Sequence, residues 1–218
     1  MTKKEKYHSS LVRSMNVVER RTPEETRAAI MQVAWDLFRE LGPRTTIADV
    51  AEKAGMSSAN VYRFFPSKQA LTEAVCQSLL AELLKAARAA LAGPGAQAER
   101  IANMMMTLHR QMRDQMTNAE RAHEIVQIAI DEYWPPIADY IRECAAMLGE
   151  AIAKGQASGE FGPGDPAELG WQACQACIVI HDPTAIAQCA AIRPDFRPET
   201  AIDFVLRALA NHTPPAPL

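Results

Sequence analysis

Residues 46–68, TIADVAEKAGMSSANVYRFFPSK, decide the fold of this chain. They read as two short helices joined by a tight turn. Thr46 caps the first through its hydroxyl, and Asp49, three residues on, completes a capping box. Ile47, Val50, Ala51 and Ala54 follow at helical spacing. Gly55 comes just past them, where a left-handed backbone costs glycine almost nothing. Ser57 caps the second helix. From that helix Val61, Phe64 and Phe65 point inward, and Ser58, Asn60, Tyr62 and Arg63 point outward. Pro66 stops it, because the residue before a proline avoids the helical region. This is the logic of a helix-turn-helix, whose second helix enters the major groove of duplex DNA.

The flanks agree. Thr22-Pro23-Glu24-Glu25 is a helix start, with a capping threonine, proline at the first helical position and glutamate three residues after the cap. Ile30, Ala34, Leu37, Phe38 and Leu41 mark one apolar face, and Gly42-Pro43 ends the helix. A three-helix unit of about 45 residues buries only a marginal core. It should lean on the next helix, which Ser67 caps and on which Leu71, Val75, Leu79, Leu83 and Leu84 line one side.

The run T-I-A-D-V-A-E-K-A-G-M-S-S-A-N-V-Y-R-F-F-P-S-K-Q-A-L resembles the signature of the TetR family of bacterial transcriptional repressors. The likeness spans roughly residues 24–75, about a quarter of the chain, and Thr46, Ala48, Ala51, Ala54-Gly55, Ser57, Tyr62, Phe65, Lys68 and Leu71 all fall at the family spacing. Ala59 departs from it, standing where the family often has glycine, and so does Phe64, where histidine or tyrosine is common. The resemblance implies a ligand-responsive repressor that binds a palindromic double-stranded operator as a homodimer. It also implies a four-helix dimer interface built from two long C-terminal helices of each subunit, roughly 166–182 and 198–211. Arg44, Thr46, Tyr62 and Lys68 would hold phosphates, with Ser57 at the start of the second helix. Ser58, Asn60 and Arg63 would reach base edges, since asparagine pairs with adenine and arginine with guanine.

Composition fits an all-α chain of one or two domains: alanine, leucine, methionine and glutamate dominate, and no alternating β-branched run occurs. The net charge of −3 argues against a general nucleic-acid glue, but its distribution is uneven. Residues 1–68 carry +4 and residues 69–218 carry −7. A basic head on an acidic body fits a local DNA footprint, and ordinary scatter of surface charge is the bland alternative. No apolar run approaches the ~18 residues that span a bilayer, and no signal-peptide core opens the chain. Five cysteines, an odd number, then fit a reducing cytoplasm, with no membrane as partner.

The expected organisation has four parts. Residues 1–22, with Lys3, Lys4, Lys6, Arg13, Arg20 and Arg21, form a flexible basic arm for the minor groove or phosphates, with a solvated tail as the equal alternative. Residues 23–67 form the helix-turn-helix domain, 68–212 a helical effector-binding and dimerisation domain, and the proline-rich 213–218 a disordered tail. Within the body, helices are expected to about Leu91, over 97–116, from a cap at Asn118 through Ile125, Ile128 and Ala129 toward Tyr133, and over 136–156 after a corner at Trp134-Pro135-Pro136. Asp165-Pro166 restarts a helix that Asp182-Pro183 interrupts or kinks, and Pro198 opens the last.

Met104, Met105, Met112 and Met116 share one helix face. Core packing accounts for such a face, and so does a pocket for apolar ligands. The family resemblance tips the reading to a pocket among Met105, Leu108, His109, Met112, Tyr133, Trp134, Tyr140, Trp171 and Cys174, for an aromatic or lipophilic effector. Cys174, Cys177 and His181, at i, i+3 and i+7, share another face, which leaves a metal- or redox-sensing alternative open beside packing. Neither a resident metal nor a cofactor is expected. Catalysis has little support: His123-Glu124 begins like a zinc-protease motif, but Gln127 stands where the second ligand belongs, and no nucleophile has a histidine and acid set. A helical adaptor is the third class, and duplex binding separates the regulator from both others.

Overall fold

The computed structural model describes residues 21–118 and 120–212. The arm expected at 1–22, apart from Arg21 and Thr22, and the tail expected at 213–218 lie outside the described residues, as do the side chains of Met116 and Asn118. At Thr22 the capping box forms as read. Its hydroxyl accepts from Glu25 N at 3.1 Å and Glu25 Oε2 accepts from Thr22 N at 2.7 Å. Helix α1 then runs Pro23–Leu41 and buries Ile30, Ala34, Leu37 and Phe38. Gly42 ends it at φ 61°, ψ −141°, a conformation essentially reserved for glycine, and leads into one 3-10 turn, Gly42–Arg44. The buried Thr45 hydroxyl lies 3.2 Å from the Leu37 carbonyl and 2.9 Å from the Gly42 carbonyl and donates its one proton between them, tying the turn to the end of α1.

Helices α2 (Ile47–Lys53) and α3 (Ser58–Phe64) complete the head, and α4 (Lys68–Leu91) crosses from head to body. Its first turns give Leu71, Ala74 and Val75 to the head core, and its later turns give Cys76, Leu80, Leu83 and Ala87 to the body core. The body adds α5 (Gln97–Asn118), α6 (Glu120–Asp131), α7 (Pro135–Ala157), α8 (Pro166–Ala176), a one-turn α9 (Ile178–His181), α10 (Pro183–Ile192) and α11 (Pro198–Ala210). Among the described residues there is no strand, so the all-α expectation holds.

The head does not close on itself. Ile125 of α6 is buried in its core beside Ile30, Phe38, Val61 and Leu71, so the body supplies part of the apolar surface that a three-helix unit lacks. In the body, α7 and α8 pack backbone to backbone. A Cβ added at Gly170 would lie 2.5 Å from Ala145 O and 2.6 Å from Gly149 N, so only glycine permits this crossing.

One expected element needs correction. The helix read over 166–182 ends at Asp182-Pro183 as expected but is also broken within, at Cys177. It leaves helical geometry at Cys177 (φ −96°, ψ 14°), resumes for one turn, and ends where Asp182 caps α10 by accepting from Ala185 N at 2.7 Å. Proline at 183 cannot continue a helix, because its ring clashes with the carbonyl four residues back. The break at Cys177 is tertiary in origin. Cys177 and Ile180 are fully buried, the Cys177 thiol contacts Met105 Sδ at 3.6 Å, and the Ile180 carbonyl accepts from His109 Nδ1 at 2.9 Å.

Candidate nucleic-acid interface

Residue 46 begins the site. The Thr46 hydroxyl and backbone N–H both donate to Asp49 Oδ2, at 2.7 and 2.8 Å, while Asp49 N donates back to Thr46 Oγ1 at 3.2 Å. Those hydrogen bonds, the side-chain one first, hold the Asp49 carboxyl below its ordinary range, and the Lys68 ammonium adds to the effect. The Lys68 ammonium itself donates to the Pro43 carbonyl, which ties the start of α4 to the turn that feeds α2. Arg44, Thr46 and Lys68 are therefore gathered at one end of α2. Gly55 takes φ 66° as the turn requires, and Met56 N donates to Ala51 O at 2.9 Å.

Helix α3 opens at Ser57, whose hydroxyl accepts from Asn60 N at 3.2 Å. Val61 and Phe65 are buried, Phe64 is half-buried, and the Arg27 guanidinium lies 4.8 Å over the Phe65 ring. That anchoring turns the other side outward. Tyr62 and Arg63 are exposed, and Ser58 and Asn60 are half-buried. Neither Arg44 nor Arg63 forms an ion pair among the described residues. Sequence reading missed the Pro43 carbonyl as the seat of Lys68, a contact 25 residues apart that no local pattern signals.

The nine residues expected to line an effector pocket separate into three places. Met105, Leu108, His109, Met112, Tyr140 and Cys174 are buried together in the body core. Tyr133 is 87% exposed and Trp171 37% exposed, so neither joins them. Trp134 is buried, but at the junction of head and body, where its indole N–H donates to Glu132 Oε2 at 2.8 Å. Tyr140 Oη is buried with the Cys144 thiol beside it. Burial pushes its pKa well up, and the neighbouring Cys144 and Cys174 thiols push it further.

Of Cys174, Cys177 and His181, the structure brings Cys174 and His181 into contact, while the Cys177 thiol packs against Met105. His181 Nε2 donates to Cys174 O at 3.1 Å and lies 3.9 Å from Cys174 Sγ. Burial raises the thiols, Cys174 to about 11 and Cys177 to about 12, and lowers His181, so the group stays neutral. Metal binding and oxidant sensing need thiolates, and among the described residues no three His, Cys, Asp or Glu side chains are grouped to hold an ion. The metal- or redox-sensing alternative is therefore not favoured, and the cluster packs instead.

Comparison with known proteins is consistent with this geometry. The family description "Bacterial regulatory proteins, tetR family" matches residues 30–75, and "Tetracyclin repressor-like, C-terminal domain" matches residues 97–201. The chain belongs to the TetR family. An HTH-type transcriptional repressor of Mycobacterium tuberculosis is 41% identical to this TetR-family chain over 63 residues, which is 28% of this chain and 34% of that protein. The match thus spans about a third of the relative's own length. A TetR/AcrR-family transcriptional regulator from Thermobifida fusca superposes with a TM-score of 0.54 at 25% identity, over 85% of this chain and 96% of its own. FadR of Thermus thermophilus, a TetR-family repressor solved with lauroyl-CoA, superposes with a TM-score of 0.60 at 18% identity, over 88% and 98%.

The surface of this TetR-family chain carries one further feature. Between α8 and α11 runs an apolar groove of about 140 Å³, lined by Leu169, Ala173, Ala176, Phe204 and Val205, with Phe204 72% exposed. No helix of the described residues is long and apolar enough to cross a membrane.

Proposed function

We propose that this TetR-family chain is a ligand-responsive transcriptional repressor that binds a near-palindromic duplex as a homodimer and is released by an apolar small molecule. The observation that carries the reading is α3. Val61 and Phe65 lock it in the head, and its outward side presents Ser58, Asn60, Tyr62 and Arg63. In this reading Arg44, Thr46, Ser57, Tyr62 and Lys68 hold phosphates and set register, while Ser58, Asn60 and Arg63 read base edges. A second copy covers the groove between α8 and α11 and sets the spacing of the two recognition helices.

The effector enters the methionine-rich core of the body, among Met105, Leu108, Met112, Tyr140 and Cys174, with the buried His109, bonded to the Ile180 carbonyl, as a polar anchor. Methionine side chains repack around ligands of varied shape, which favours a lipophilic or aromatic effector. The lauroyl-CoA complex of the Thermus FadR is in keeping with that class. An effector shifts the DNA-binding equilibrium only by its difference in affinity for the two states. Helix α4, shared by both cores, and Ile125, seated in the head core, are the parts that carry the shift.

Footprinting on the DNA flanking the protein's own gene tests the reading. A protected, two-fold related site that a lipophilic acyl thioester releases is expected. Absence of any protected site overturns the proposal.

A further inference from the structure

Where head meets body there is a cleft of about 260 Å³, lined by Pro43, Lys68, Thr72, Ile125, Ile128 and Trp134, together with Gln69 and Glu132. Ile125, Thr72 and Trp134 are buried, so its floor is mostly apolar. Its mouth carries a cation. Lys68 forms no ion pair among the described residues. Its ammonium has three donors, and only the Pro43 carbonyl takes one. Two carboxylates stand near it, Asp49 within reach of its charge and Glu132 on the cleft wall, and among the described residues neither hydrogen-bonds the ammonium. Asp49 accepts from Thr46, and Glu132 accepts from the Trp134 indole. Trp134 reaches the cleft because α6 ends in a left-handed cap: Tyr133 takes φ 54°, its N–H donates to Ile130 O at 3.1 Å, and Trp134 N donates back to Ala129 O at 2.9 Å.

We infer that this cleft is a second small-molecule site, separate from the body core, that takes a small aromatic carboxylate: the ring lies on Trp134 and Ile128, and the carboxylate takes the free donors of Lys68. The volume lies just under the range of about 300–1,000 Å³ usual for ligand pockets, which suits one ring with its carboxylate and excludes a long acyl chain. A DNA phosphate wants the same Lys68 donors. Occupancy therefore weakens DNA binding by direct competition at one residue, with no change in dimer spacing. This consequence rests on the phosphate role proposed for Lys68, whereas the site itself does not.

The test uses the full chain carrying Trp35→Phe and Trp171→Phe, which leaves Trp134 as the one tryptophan of the original three. Sodium benzoate is titrated against Trp134 emission, with sodium chloride holding ionic strength constant and benzyl alcohol as the uncharged probe. A saturable benzoate response is expected, about tenfold or more tighter than that of benzyl alcohol. Lys68→Met should weaken benzoate to the benzyl alcohol level. Ile128→Phe, which fills the cleft, should abolish the response while unfolding stays cooperative; should that variant misfold, Lys68→Met alone decides. A non-saturable response, equal responses to the two probes, or benzoate binding unchanged in Lys68→Met overturns the site. In a second arm on duplex DNA, benzoate should raise the apparent Kd of the chain with native Lys68 and leave that of Lys68→Met unmoved. A chain that binds benzoate but no duplex sinks the repressor reading and leaves the site standing. One that binds duplex and ignores benzoate does the reverse.

Discussion

Gly42 lies against the backbone of Arg121: a Cβ added at Gly42 would sit 3.0 Å from the Arg121 carbonyl oxygen. The Arg121 guanidinium returns the contact by donating to the Glu40 carbonyl. The end of α1 and the start of α6 thus clamp each other, and this clamp fastens head to body. Gly42→Ala meets both a forbidden backbone conformation and this contact, so it should cost about 1–3 kcal/mol in urea unfolding. Unchanged stability would mean that the clamp contributes nothing.

His181 gives the fold a pH dependence. Burial lowers its pKa below the ordinary 6.5, with the Cys174 carbonyl contact opposing in part. The unfolded chain therefore binds the proton more readily than the folded one. This contribution to stability is complete above the unfolded value and is lost as pH falls through about 6.5 toward the lowered folded value. Unfolding free energy measured from about pH 7 down to about pH 5.5 should fall in the native chain and fall less in His181→Gln. Parallel curves for the two would remove His181 as the cause.

Thiol reactivity separates packed cysteines from sensing ones. Cys76, Cys144, Cys174 and Cys177 are buried and their thiols are raised by that burial, whereas Cys189 is half-buried. A chromogenic disulfide reagent at mildly alkaline pH should modify no cysteine but Cys189 in the native protein, and all five after denaturation. Rapid native reaction of Cys174 or Cys177 would revive the sensor reading.

Phe204 is an exposed apolar side chain on the groove between α8 and α11, where the proposed second copy would sit. Phe204→Glu should raise the dimer dissociation constant by on the order of thirtyfold in sedimentation equilibrium, as loss of an interface hot spot does. An unchanged association state would move the interface elsewhere.

The parts of the fold that were legible in the sequence are those set by local chemistry. Thr22 with Glu25, Thr46 with Asp49, Ser57, Gly55 and Asp165 declare their caps and turns within a few residues, and the structure has each of them. What stayed hidden depends on neighbours far along the chain. Nothing between Trp171 and His181 breaks a helix by itself; the burial of Cys177 against Met105 and the His109 bond to Ile180 do so. Of the adjacent Tyr133 and Trp134, only the backbone at Tyr133 decides which ring is buried. Trp171 faces outward because Gly170, beside it, takes the close crossing with α7. The outward set on α3 was legible because a short amphipathic helix has only two faces.

The central claim, that this chain grips duplex DNA through the end of α2 and the outer face of α3, is tested most directly by fluorescence anisotropy on the duplex flanking its own gene, across a salt series. Binding should weaken steeply with salt. Lys68→Ala should lower the log–log slope by about one, and Arg63→Ala should relax preference at one base pair by about 1–3 kcal/mol. No binding to any duplex at low salt, or a Lys68→Ala slope equal to the native one together with unchanged base preference in Arg63→Ala, would contradict it.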